Sequence, residues 1–174
     1  ATTETYTLSL HDALPIFPRD GAFLKAKPAE NVVMGTVHVP ETITNFEVLG
    51  ENGHFIRQPK QGTSTLPAGT YRVISWESQR KDDKNDTWTL SGNDYEPVSG
   101  FRVSAEQPAT VHLGEPVYAA LQLTESRSDL AFSLRLVGAQ GETVQIMRGN
   151  EQPRAPQLQV AGAGFKATRN FEYG

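Results

Sequence analysis

Cysteine is absent from the 174 residues. That excludes disulfides, thiolate metal sites and thiol catalysis, but it does not fix the cellular compartment. No stretch approaches the roughly 20 apolar residues that a membrane-spanning helix needs. Apolar periodicity of helical type is sustained over three turns nowhere, so a helix-built domain is excluded as well. Positive charge is scarce: Lys and Arg number 16 against 20 Asp and Glu, leaving a net charge of -4. No basic patch interrupts this balance, and nucleic acid is therefore not an expected partner. Catalytic signatures are missing too. There is no G-x-S-x-G elbow, and Gly162-Ala163-Gly164 is followed by no helix whose N-terminus would cradle a phosphate.

What is present reads as β-structure. The 15 glycines and 11 prolines suit many turns. Residues 32–39, VVMGTVHV, form a β-branched run stopped by Pro40. Phe46–Leu49 and His54–Arg57 flank Gly50-Glu51-Asn52-Gly53, a hairpin signal. Pro67-Ala68-Gly69 turns into Thr70–Trp76, which carries apolar groups on both faces, as a central strand does. Simple alternation there places Tyr71 and Val73 on one face and Ile74 and Trp76 on the other. Gln79–Asp86 is a charged hairpin tip returning through Thr87–Gly92. After Gly100 come Phe101–Val103, Thr110–Gly114, Tyr118–Thr124 and Leu130–Val137. In the last of these, Leu130, Phe132, Leu134 and Leu136 share one face at period two. Val144–Met147, Leu158–Val160 and Phe171–Tyr173 complete the set, the final pair lying around the Gly162–Gly164 bend. The expectation is an all-β, antiparallel β-sandwich. It divides into two small units, 17–100 and 101–174, joined near Gly100 to Ser104, with a single larger sandwich as the alternative.

Two resemblances add to this reading. Ala1 to Ile16, ATTETYTLSLHDALPI, resembles the translation of a short-read sequencing adapter, ATTEIYTLSLHDALPI, from which only Thr5 departs. The resemblance implies that 1–16 is a non-native segment adding nothing to the core, and that the natural start lies elsewhere. His11 and Asp12 are then not catalytic candidates. The alternative is a real capping segment before a short helix. Leu66 to Val73, LPAGTYRV, resembles the turn-plus-strand signature of transthyretin-like, immunoglobulin-like and carboxypeptidase-regulatory-like sandwich modules. Together with KDDKNDTW, LGEPV and the terminal FEYG, it makes Leu66 to Gly174 similar to uncharacterised secreted proteins of planctomycete-type bacteria. That resemblance implies an extracytoplasmic β-sandwich and assigns no chemistry.

Candidate sites are few. Asp82, Asp83 and Asp86, with Asn85 between, offer oxygen ligands for calcium. They lack the spacing of a calcium loop, and Lys81 and Lys84 neutralise them, so a solvated hairpin tip is the plainer reading. His38, His54 and His112 sit on or beside separate predicted strands without metal-ligand spacing. Trp76, Trp88 and Tyr95 are the ligand-binding candidates. As a cross-strand pair on an exposed face, the two indoles would stack on sugar rings; otherwise they fill the core. The expected function is a non-catalytic accessory, adhesion or structural module of a secreted or cell-envelope bacterial protein, with no cofactor and a protein or polysaccharide partner. Carbohydrate binding through the tryptophans is the alternative, and a hydrolase the weakest reading, since no nucleophile, metal set or acid pair can be singled out.

Overall fold

The computed structural model describes residues 31–93, 95, 100–127 and 129–172. Residues 1–16 lie outside the described residues. Every regular element among the described residues is a strand. In chain order these are β1 (Met34–His38), β2 (Ile43–Gly50), β3 (Gly53–Arg57), β4 (Thr63–Pro67), β5 (Gly69–Lys81), β6 (Thr87–Asn93) and β7 (Gly100–Val103). They continue as β8 (Ala109–Thr110), β9 (Tyr118–Glu125), β10 (Leu130–Val137), β11 (Thr143–Arg148), β12 (Gln157–Gly162) and β13 (Phe165–Asn170). The protein is all-β, and its sheets do not close into a barrel. Pairing is antiparallel except where β1 meets β8, a short parallel contact of Val37 with Ala109 and His38 with Thr110.

The large sheet runs β3-β2-β5-β6-β11-β10-β9, with β7 beside the first part of β5. The small sheet is β4-β1-β8, and β12-β13 is a separate hairpin. Residues 87–93, before Gly100, pair with residues 143–148 well after it, because β6 and β11 are neighbours. The two sheets share one core. Val37 and Leu66 from the small sheet, Phe46, Val48, Phe55, Tyr71 and Val73 from the large one, and Val103 from β7 form a single buried cluster. Such a layer of interdigitating branched and aromatic side chains is what a sandwich buries.

LPAGTYRV occupies the corner where the chain leaves one sheet for the other. Leu66, the last residue but one of β4, is buried in the core, the Ala68 amide donates back to the Val33 carbonyl, and Tyr71 enters the same core from β5. Pro67 suits a strand end, and its carbonyl accepts the Tyr71 hydroxyl at 2.9 Å. Asn52 Nδ2 donates to the Ala68 carbonyl at 2.7 Å, fastening the β2–β3 turn to the same corner.

The parity expected along β5 is overturned. Val48 pairs with Val73 while Glu47 pairs with Ser75, so Ile74 is an extra residue in the ladder, a β-bulge. A bulge reverses alternation downstream. Tyr71, Val73 and Trp76 therefore all face the core, and all are buried. Thr44 is the extra residue on β2, between Ile43, opposite Ser78, and Asn45, opposite Glu77, and it restores register. The last strand also differs from expectation: the Gly162–Gly164 bend holds as the hairpin turn, but the returning strand is Phe165–Asn170, Phe171 and Glu172 follow it outside any strand, and Tyr173 lies outside the described residues.

Candidate functional site

Trp76 and Trp88 are not a cross-strand pair. Trp76 stands opposite Gly92, and Trp88 opposite Arg80. The two indoles project from the same sheet face, four positions apart along the ladder, and meet different surroundings. Trp76 retains only 2% of its accessible surface. Its ring lies across Gly92, where a Cβ would sit 2.3 Å from the indole, so only glycine admits it. Its Nε1 donates at 2.9 Å to Glu142 Oε1.

Glu142 is completely buried, a fate that no pattern in the surrounding sequence marks. The turn from Gly138 to Glu142 winds around this carboxylate. Gln140 N donates to Oε2 at 2.8 Å, Gly138 N donates to the Glu142 carbonyl at 2.9 Å, and the side chain packs on Gly138, where no Cβ would fit. A buried carboxylate needs such donors on its oxygens. Its partner Trp76 is 66 residues away, and no local pattern reports such a contact. Tyr95 packs against the same cluster. Burial, and after it the nearby Glu142 carboxylate, push the Tyr95 phenol well above its ordinary range.

Trp88 belongs to the hairpin tip. Asp82 there accepts three bonds: from Trp88 Nε1 at 3.0 Å, from Lys84 N at 2.9 Å and from Asp86 N at 3.0 Å. Chief among the causes, the Trp88 bond holds the Asp82 carboxyl below the usual carboxylate range; the backbone donors and Arg148 add to it. Asp86 forms an ion pair with Arg148, and the Arg148 guanidinium lies 5.6 Å from the centre of the Trp88 ring. Asp82 and Asp86 are thus engaged in closing the tip, and Asp83 is solvated. Among the described residues, no three His, Asp or Glu side chains are grouped as a metal ion requires. The histidines stand apart: His38 meets Thr63, His54 meets Glu47, and His112 is exposed.

Two further surfaces stand out. On the outer face of the large sheet, Asn45, Ser75, Glu77, Ser91 and Asn93 rim a shallow depression of about 130 Å³, floored by the backbone around Trp76 and Gly92. Beside it Glu47 accepts the Ser75 hydroxyl at 2.9 Å and also contacts His54. The carboxylate occupies the middle of this trio. A serine nucleophile would instead need the imidazole between serine and acid. The second surface is the β9–β10 hairpin. Its register places Leu121 opposite Leu134, and Leu123 opposite Phe132, with Leu130 and Leu136 on the same face. Leu121 and Leu123 are each 54% exposed and Leu130 is 57% exposed. The period-two face legible in the sequence exists, but much of it meets solvent.

No protein-family profile matches the chain, and neither a curated protein nor a solved structure is similar enough to stand as a relative.

Proposed function

We propose that this chain is a non-catalytic β-sandwich module with an accessory, adhesion or structural role in a secreted or cell-envelope bacterial protein. The observation that carries the reading is the apolar β9–β10 face. Three leucines more than half exposed on one hairpin face make a surface suited to contact with another macromolecule. Support also comes from how the acidic groups are spent: Asp82 and Asp86 close a hairpin, Glu142 holds Trp76, and Glu47 ties Ser75 to His54. The extracytoplasmic setting follows from the resemblance of LPAGTYRV and the segments after it. Polysaccharide recognition is the second reading. With Trp76 under the core, it rests on Trp88, a half-buried indole beside Arg148.

Retention of the purified chain on bacterial envelope preparations and on insoluble polysaccharides separates the two. Leu130→Lys changes the apolar face without touching the sheet edge, and Trp88→Ala removes the half-buried indole. The module reading expects envelope retention that L130K abolishes and W88A leaves intact. Retention on polysaccharide lost in W88A alone would replace it with the second reading.

A further inference from the structure

β9 ends the large sheet. Among the described residues its one neighbour is β10, so no described strand pairs with the backbone N–H and C=O groups of its other edge. All eight of its residues are exposed. Edge strands are ordinarily protected against pairing by lysine, proline, bulges or short length. β9 has none of these: YAALQLTE contains no basic residue and no proline, pairs with β10 without a register shift, and carries its single charge, Glu125, at the end. The opposite edge, β3, is only five residues long, and Arg57 on it bonds the Thr65 carbonyl and lies over Phe55.

We propose that β9 is a self-pairing edge, through which two copies of this chain join antiparallel along Tyr118–Thr124 about a two-fold axis at Leu121. The sequence of the strand is complementary to itself in that register. An antiparallel pair places directly opposed residues on the same face, so a two-fold register must centre on a residue. With Leu121 at the axis, Leu121 meets Leu121 of the second copy, and Leu123 meets Ala119, large against small. On the other face Ala120 meets Gln122, and Tyr118 meets Thr124. No like charges face each other, because Glu125 falls opposite Val117. The union pairs the outer edges of both copies and closes the assembly at two, as an isologous contact does. Pairing β9 with β3 of another copy would instead propagate. A seven-residue edge contact belongs at the small end of specific interfaces, below about 1,200 Å², so association is weak and concentration-dependent. This inference does not rest on the functional reading above, since an adhesion module and a polysaccharide binder would display the same edge.

The chain has no cysteine, so single introduced thiols report the geometry without interference. Sedimentation of the full chain over a concentration series is expected to show a monomer–dimer equilibrium. L121C is expected to oxidise to a disulfide dimer. An equimolar mixture of A120C and Q122C is expected to give the mixed disulfide in excess of either homodimer. L121K sets two ammonium groups at the axis and is expected to raise the dissociation constant about tenfold or more, and mixing it with L121E to restore the dimer. I56K, on β3, is expected to change nothing. A chain that stays monomeric throughout the series overturns the proposal. So does cross-linking by L121C without any A120C–Q122C product, the signature of two hairpins stacked by their apolar faces. Loss of the dimer in I56K overturns it as well.

Discussion

Trp76 shows how much one side chain can depend on residues that contribute almost nothing of their own. The indole is buried because Gly92 opposite it has no Cβ, and its N–H is satisfied because Glu142 reaches it from a turn beyond β10. Replacing Trp76 with Ala is expected to cost about 3–5 kcal/mol, the range for emptying a large aromatic site in a core. Gly92→Ala keeps the tryptophan yet drives a methyl into its ring, and is expected to cost about 1–3 kcal/mol by overpacking. Trp88→Ala, at the half-buried tip, is expected to stay within about 1–2 kcal/mol. Urea unfolding followed by circular dichroism measures all three. A Gly92→Ala protein as stable as the parent would mean that the indole does not lie where it is placed here. At this scale the sequence was legible in part. It offered core filling as one of two fates for Trp76, but nothing in GAQGE marks Glu142 as buried, because burial of a carboxylate depends on donors supplied from far along the chain.

Among elements, β5 is the one on which the rest depend. It pairs with β2 along one edge and with β7 and then β6 along the other, and it switches parity at Ile74 so that Tyr71, Val73 and Trp76 reach one core. Deleting Ile74 removes the bulge and turns either Trp76 outward or Tyr71 and Val73 outward. The expected outcome is loss of cooperative thermal unfolding. Ile74→Ala keeps the extra residue and is expected to unfold cooperatively, with a loss of about 1–2 kcal/mol. A deletion variant with a native-like transition would show that the bulge is dispensable. The strand itself, its central position, the β2–β3 and β5–β6 hairpins and the limits of β10 were all legible, since turn residues and alternation are local. The bulge was not. One extra residue leaves no trace in composition, and only the register of the neighbouring strand shows which residue is unpaired.

Over the molecule as a whole, stability is expected to fall from the shared core outward. Strands β2 and β5 run through the buried cluster, whereas β10 meets β11 in register only at Val137 and Thr143, and β9 is exposed along its length. Native-state hydrogen exchange is therefore expected to show amides of β9 and the tip half of β10 opening by local fluctuation, and those of β2 and the middle of β5 only on global unfolding. Equal protection in β9 and β5 in a dilute, monomeric sample would contradict this ordering. The sequence by itself determined the class: turn-rich, free of helical period, alternating in short runs, it could form only strands. It also determined that Leu130, Phe132, Leu134 and Leu136 lie on one face, because period two is a property of the extended backbone. It could not determine whether that face is covered. Only the tertiary structure decided that β6 lies against β11, that Glu142 thereby reaches Trp76, and that β9 comes last in the order of the described strands. Those outcomes depend on which distant strands become neighbours, and the energy of such pairing is spread over both partners rather than written in either one.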